Sequence, residues 1–327
     1  MIRIPNLVLP SPIQAPVSKS HMQRELLLSV LANSPSRLYG NFVSLPDDVL
    51  SAIQCIESFG ATVCLNDNKI EVIPPIHSVI KDEISIHVGE SGFLIRNIIS
   101  IGFLFARKLI IYAKGTLLTR DLHVNDALLT QLGLVKRSTD GEWPLILEQI
   151  NPCQQHILLD ASATSQIASG VLIRLAQSTG ERSLILTNLV STPYLQMTVD
   201  NLINRGVKLS WIDNCISFDD NCRIQGREIQ IDGDWSGAAF LFVAGAINNP
   251  IVIEGMRSDS VQADMKILEA IKDAGALLSQ EGNRYKVAPA SLHAFEFDAT
   301  ECPDLFPPLV ALAAYCKGVT KIKGVNR

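Results

Sequence analysis

The sequence predicts a mixed α/β protein in which buried helices are wrapped by small sheets. Three observations lead there: a long internal repeat, helices apolar on nearly every side, and short apolar strands between them. The repeat shows first in four amphipathic segments that each end in Gly and run into a strand. They close at Gly60, Gly133, Gly206 and Gly275, spaced by 73, 73 and 69 residues. Each Gly stands where a helix terminates in a left-handed residue, the conformation that costs Gly least.

A second series lies between the first. Apolar helices open near Ser20, Gly92, Ser165, Ser236 and Asp304, at intervals of 72, 73, 71 and 68. Stretches such as Ile98 to Phe105 and Ala238 to Ala246 have no polar face, which marks interior helices, while their first turns carry Ser, Gly, Asp and Lys. The period is too long for a solenoid unit of roughly 20 to 50 residues. Strand-like runs at Ser85–Val88, Ile157–Leu159, Leu184–Leu186 and Lys208–Trp211 fill the remainder. The unit is therefore two helices and several strands, with the apolar helix inside. The fifth helix start leaves only 23 residues to the last one, so the fifth unit lacks its Gly-capped helix.

The chain has 327 residues, 47% hydrophobic and 19% charged, which excludes disorder and allows about two domains. With 28 Lys and Arg against 33 Asp and Glu, the net charge of −5 argues against a general nucleic-acid or anionic-membrane binder unless the cations gather in one cleft. Seven cysteines form no CxxC pair and no zinc-type spacing with His, so reduced and mostly buried thiols are expected. No secretory leader and no membrane-length apolar run is visible, which reads as a cytoplasmic protein.

Motifs for nucleotide, dinucleotide, zinc-protease and serine-hydrolase chemistry are absent. What recurs is cations and hydroxyls at helix starts. Lys19 and Ser20, with Arg24 a turn later, place positive charge and free N–H groups at one helix N-terminus, a setting for phosphate or carboxylate. Gly89 to Arg96 repeats the design, with Gly92 opening the backbone to a ligand and Arg96 deeper in the helix. Thr164, Ser165 and Gln166 supply hydroxyls and an amide at a third start, and Ser191 and Tyr194 lie in a hydroxyl-rich turn. Arg120 precedes a helix read as Asp121 to Leu132. Asp304, next to Pro303, is either an ordinary helix opening or a carboxylate kept ionised as a general base. Taken singly, each is an N-cap or a solvated cation. In a repeat fold the corresponding helix starts can converge.

These residues carry a resemblance. SKSHMQRELLLSVLA, GESGFLIR, TRDLHVNDALLTQLG, DASATSQIASGVL, STPY, DGDWSGAAFLFVAGAI and CPDLFPPLVALAAYCKGVTKIKGV resemble, in order along the chain, the motifs of the 5-enolpyruvylshikimate-3-phosphate synthase family. The resemblance implies a two-domain enolpyruvyltransferase fold of repeated βαβαββ units around buried helices. Its domains would be 18–232, binding shikimate 3-phosphate, and 1–17 plus 233–327, incomplete at the C-terminus. It implies transfer of the enolpyruvyl group of phosphoenolpyruvate to the 5-hydroxyl of shikimate 3-phosphate with release of phosphate. Neither metal nor cofactor is implied, and a monomer is expected.

Carried over by position, Lys19 would touch both substrates, and Ser20, Arg24 and Tyr194 would hold the shikimate moiety. Thr164, Ser165 and Ser191 would bind its phosphate, with Gln166 between the ligands. Gly92, Arg96 and Arg120 would serve phosphoenolpyruvate, and Asp304 would be the base. Thr164 stands for a family Ser, Glu90 for Asn, Phe93 for Thr and Asp121 for Pro, so a carboxylate and a bulky ring are expected to flank the phosphoenolpyruvate loop. The match stops at Gly324 to Arg327, before a family segment that adds a Glu, two Arg and a Lys, so the chain reads as C-terminally truncated. Two alternatives are kept: a fragment that binds shikimate 3-phosphate without turnover, and a UDP-N-acetylglucosamine enolpyruvyltransferase. The latter is disfavoured because no Cys lies between Cys64 and Cys153.

Overall fold

The structure, a computed structural model, describes residues 10–76, 79–139, 141–219 and 223–324. The chain folds into two compact units, Lys19–Ile231 and the combination of Met1–Ser18 with Asp232–Arg327.

In chain order, β1 (Ile13–Gln14) precedes α1 (Lys19–Val30), β2 (Ser36–Tyr39), α2 (Asp47–Ser58), β3 (Thr62–Asn66) and β4 (Lys69–Ile73). Next come β5 (Lys81–His87), α3 (Gly92–Ile101), β6 (Ala106–Tyr112), α4 (Asp126–Gln131), β7 (Leu134–Lys136) and β8 (Leu145–Gln149). The third set is β9 (His156–Asp160), α5 (Ser165–Ala176), β10 (Arg182–Thr187), α6 (Thr192–Asn204), β11 (Leu209–Ile212) and β12 (Cys215–Phe218). After β13 (Glu228–Gln230) follow α7 (Trp235–Ile247), β14 (Ile251–Glu254), α8 (Ile267–Asp273), β15 (Leu277–Glu281) and β16 (Arg284–Ala288). The last elements are β17 (Glu296–Asp298), α9 (Phe306–Ala313) and β18 (Lys321–Lys323).

Four sheets share one design. Their orders are β13-β2-β4-β3, β5-β6-β8-β7, β9-β10-β12-β11 and β1-β14-β16-β15. In each, the first pair is parallel and the other two pairs are antiparallel. A parallel pair needs a crossover, which the apolar helix supplies for β5-β6 and β9-β10, whereas β2 pairs with β13 and β1 with β14 from distant parts of the chain; hairpins close the antiparallel pairs. The repeated glycines end the second helices as expected: Gly60, Gly133, Gly206 and Gly275 have φ of +101°, +74°, +83° and +89°. Around three of them, Gly60, Gly206 and Gly275, the backbone N–H groups of the Gly and its successor reach back to the last-turn carbonyls, the pattern of a Schellman closure.

Within the larger unit, α1, α3 and α5 are buried along nearly their whole length. Gly170 lets α5 approach α3 so closely that a Cβ there would lie 2.8 Å from the α-carbon of Asn97. The core nevertheless holds a charge pair, Glu25 of α1 with Arg205 after α6, at 2.7 Å with both side chains at most 1% exposed. Arg205 also donates to the Ser36 and Ser29 hydroxyls and to the Gln225 carbonyl, so the buried guanidinium is surrounded by acceptors.

The structure corrects three expectations. The helices of the smaller unit are not interior throughout: Phe240 of α7 and Phe306 and Val310 of α9 are 51%, 39% and 46% exposed. The last helix starts later than Pro303-Asp304, because residues 303–305 form a 3-10 turn and α9 begins at Phe306. The thiols are not mostly buried. Of the six described, all free, only Cys55 and Cys302 are buried; Cys64 is exposed on the outer strand β3, and Cys222 lies outside the described residues. Burial holds the Cys55 thiol well above its ordinary range and raises Cys302 to about 12.

The buried pair ties stability to pH. Burial pushes the Glu25 carboxyl up, but Arg205 and His21 outweigh it and hold its pKa below the ordinary value. A carboxyl depressed in the folded state contributes stability that is present above its unfolded pKa and lost as pH falls through the folded one. Arg205→Met leaves Glu25 buried without its cation and should cost about 3 to 5 kcal/mol at pH 7. Because the orphaned carboxyl is then neutralised by acid, urea unfolding should show that deficit shrinking between pH 7 and pH 4.

Candidate active site

The site begins with helix N-termini that the repeats bring to one end of the larger unit. Two are capped by their own sequence: the Ser91 hydroxyl accepts from Leu94 N–H at 3.2 Å, and Thr164 accepts from Gln166 N–H at 3.2 Å. The starts are then stitched to one another. Gln23 of α1 donates to the Ser91 hydroxyl at 2.8 Å and to the Asp48 carbonyl at 3.0 Å. Arg96 of α3 donates to Gln166 Oε1 of α5 at 2.7 Å. Ser169 of α5 meets Thr198 of α6 at 2.9 Å, and Thr198 accepts from Arg24 Nε of α1 at 2.8 Å. The four helices form one hydrogen-bonded ring.

On this ring lie ten of the twelve residues picked from the sequence, and Arg120 reaches it at Gly92 from the segment before α4. Lys19 is half-exposed and sits 3.1 Å from Asp48 Oδ2. Ser20, Gln166, Ser191, Tyr194 and Thr164 are partly exposed, whereas Ser165 is buried. Ser191 adopts a left-handed backbone, φ +54°, which turns the chain into α6 ahead of Pro193.

Arg24 differs from a surface ligand. It is 1% exposed, donates to the carbonyls of Ser20 and Tyr194 at 2.9 Å each, and lies 4.5 Å over the Phe93 ring. Burial lowers its pKa to about 10, still charged at neutral pH. Phe93 therefore does not crowd the helix start as its bulk suggested; it turns inward and covers Arg24.

The Arg120 segment also departs from expectation. The helix expected over Asp121 to Leu132 begins only at Asp126, capped by Asn125, which accepts from Leu128 N–H at 2.9 Å. Residues 121–125 stay outside the helix because Arg96 claims carbonyls among them. Its Nη2 donates to Asp121 O at 2.9 Å and its Nε to Leu122 O at 3.2 Å. Arg96 is held below the usual guanidinium range by burial and by the charge of Arg120, so two like charges stand near each other. That is a local deficit of negative charge beside Gly92, whose missing side chain leaves room: a Cβ there would lie 2.9 Å from Arg96 Nη1 and 4.0 Å from Arg120 Nη1.

Glu90 does flank this place, with its charge already engaged. Its carboxylate accepts from Thr116 N–H and hydroxyl at 3.0 and 3.1 Å, which holds its pKa down, and Arg120 Nη2 donates to the same hydroxyl at 2.9 Å. Residues that sequence reading missed are Gln23, Thr198, Ser169 and Thr116. The only signal for the first three was a polar side chain inside an otherwise apolar helix.

The twelfth residue, Asp304, belongs to the smaller unit. It lies on the turn before α9, exposed, and accepts weakly from Ser236 Oγ at 3.4 Å. Among the described residues no three His, Cys, Asp or Glu side chains gather as a metal site would need, and no helix is long and apolar enough to cross a membrane.

Repeated βαβαββ units carrying cations at converging helix starts define the class of the enolpyruvyl transferases, and solved structures agree on the fold. An EPSP synthase from Acinetobacter baumannii matches with a TM-score of 0.76 over 95% of this chain and 72% of that one, at 19% identity. The enolpyruvyl transferase NikO from Streptomyces tendae matches at 0.73 over 97% and 75%, at 16% identity. The model of the EPSP synthase (3-phosphoshikimate 1-carboxyvinyltransferase) family matches residues 8–327, and the chain belongs to that family. Relatives named 3-phosphoshikimate 1-carboxyvinyltransferase include those of Pyrococcus abyssi, 31% identical over 95% of this chain and 72% of the relative. That of Methanocorpusculum labreanum is 29% identical over 95% and 74%. The family's reaction is carboxyvinyl transfer to 3-phosphoshikimate, in the route to the aromatic amino acids.

The hold of Arg96 on its loop can be tested alone. Arg96→Met removes charge-assisted hydrogen bonds to the Asp121 and Leu122 carbonyls, each worth roughly 1.5 to 3 kcal/mol. Amide exchange over residues 120–125 should quicken at least tenfold while the interior of α3 keeps its protection.

Proposed function

We propose that the converging helix starts of the larger unit hold shikimate 3-phosphate and phosphoenolpyruvate, with the residues of this chain in the following roles. The single observation that carries this is the pair Arg96 and Arg120 facing the bare backbone at Gly92, beside the ring of helix starts that bears Lys19 and Thr164. Arg96 and Arg120 balance the charge of phosphoenolpyruvate. Thr164, Ser165 and Ser191 take the 3-phosphate, using hydroxyls and the free N–H groups of the first turn of α5. Tyr194 and Ser20 line the ring of the shikimate moiety, and Gln166, fixed by Arg96, sits between the two ligands. Arg24, buried, acts on the shikimate side by fixing the backbone of Ser20 and Tyr194.

The reaction is an addition followed by an elimination. Asp304 accepts the proton of the 5-hydroxyl as its oxygen bonds to the central carbon of phosphoenolpyruvate, and the methylene carbon takes a proton delivered from solvent. That carbon then returns a proton to solvent as the bond between the central carbon and the phosphate oxygen breaks, and phosphate departs with the bond's electron pair. Lys19 stands nearest both substrates and supplies positive charge where the departing phosphate collects its electrons. Both substrates are soluble metabolites, which supports a cytoplasmic setting. The chain spans 72% to 76% of the length of the relatives it matches, and the reading applies to the residues it contains.

Calorimetric titration with shikimate 3-phosphate, then with phosphoenolpyruvate, followed by a phosphate-release assay, tests it. Binding of both with release is expected. Binding of shikimate 3-phosphate alone would leave a substrate-holding unit without turnover, and no binding by a folded chain would overturn the reading. Asp304→Asn should lower kcat by about 100- to 10,000-fold, the usual worth of a general base, and leave shikimate 3-phosphate binding intact.

A further inference from the structure

Beside the Arg120 segment lies a cavity of about 540 Å³ whose lining shares only Arg120 with the proposed reaction. Its size falls within the range of small-molecule sites, roughly 300 to 1,000 Å³. The floor is apolar: Ile99, Leu129 and Leu147 line it and are at most 5% exposed. The roof is Leu118 and Leu122, and Trp143 forms one wall.

The charged part of the lining is uneven in exposure. Arg120, Asp121 and Glu142 are all exposed, and Asp121 is engaged by His123, whose N–H it accepts at 2.7 Å. Lys136, at the end of β7, is partly buried and lines the cavity as its second cation. A flat apolar body on the leucines and the indole, with one anionic group toward Lys136, suits this lining.

The roof is also the hinge of the proposed phosphoenolpyruvate site. The carbonyl of Leu118 accepts from Trp143 Nε1 at 3.2 Å, and that of Leu122 accepts from Arg96 Nε at 3.2 Å. Both roof residues line the cavity while their backbones anchor the segment bearing Arg120. A molecule held against that roof bears on the residues that make those two bonds.

We propose that this cavity is a regulatory site for an aromatic monocarboxylate, and that filling it weakens phosphoenolpyruvate binding by displacing the 118–122 segment. The coupling rests on the proposed placement of phosphoenolpyruvate at Arg96 and Arg120; the cavity's ligand class does not.

The probe is 2-naphthoate, compared with the neutral 2-naphthylmethanol, followed by quenching of tryptophan fluorescence. Naphthoate should bind one to one and at least tenfold more tightly than the alcohol. Lys136→Met should erase that difference, and Leu147→Trp, which fills the floor, should abolish binding. With shikimate 3-phosphate present, saturating naphthoate should weaken phosphoenolpyruvate binding threefold or more in the parent protein and not in Leu147→Trp. Naphthoate affinity unchanged by both substitutions would overturn the site. An effect on phosphoenolpyruvate that persists in Leu147→Trp would mean competition at the arginines themselves and would overturn the coupling. So would a chain that binds naphthoate as described but no phosphoenolpyruvate at all, a result that separates failure of the proposed function from failure of the cavity. If Leu147→Trp does not fold, Trp143→Leu replaces it, with the same loss of naphthoate binding expected by calorimetry, because that substitution removes the reporting indole.

Discussion

The larger unit depends on one constraint: α1, α3 and α5 have almost no face that meets water. A helix buried on all sides satisfies its middle internally, but its first N–H groups have no partner within the helix. Those ends, like the carbonyls of the last turn, are where such a helix must present polar groups. In this chain the ends carry Lys19, Ser91, Gly92, Thr164 and Ser165, and the repeat sets them side by side. A surface built from helix N-termini favours anions before any side chain is counted.

The same burial explains the polar residues that are not at the ends. Glu25, Arg205, Ser29 and Ser36 lie in a dry interior and are kept there only because each donor meets an acceptor. Arg24 follows the same rule, spending its donors on two carbonyls and a hydroxyl under the Phe93 ring. The cost of leaving any of them unmatched ties α1 to α6 across the unit more specifically than apolar contact could.

The two replacements in the Gly92 loop show how local chemistry bends to this frame. A ring at position 93 has nowhere favourable to go on a polar helix start, so it rotates into the core and stacks beneath a cation. A carboxylate at position 90 finds the Thr116 N–H and hydroxyl instead, with Arg120 on the far side of that hydroxyl. Neither group fills the opening at Gly92. Gly115, at φ +56°, is required for this arrangement, since a Cβ there would lie on the Glu90 carboxylate.

Much of this was legible in the sequence because it is periodic. The glycines that close the second helices and the starts of the apolar ones are local signals, repeated often enough to show the unit, and every one of the four glycines is left-handed. The candidate residues were legible for the same reason, as polar interruptions at the start of apolar runs. What stayed hidden depends on partners distant in the chain. Nothing near Asp121 says that Arg96, 25 residues earlier, will take its carbonyl and delay the helix to Asp126. Nothing in α1 marks Arg24 as buried and Lys19 as exposed. The sequence by itself determined the repeated unit and which residues cap it, since backbone conformation and amphipathic period are short-range. The tertiary structure alone decided which cations are spent holding the frame and which face the opening, since that choice is made by desolvation and by acceptors that only packing brings within reach.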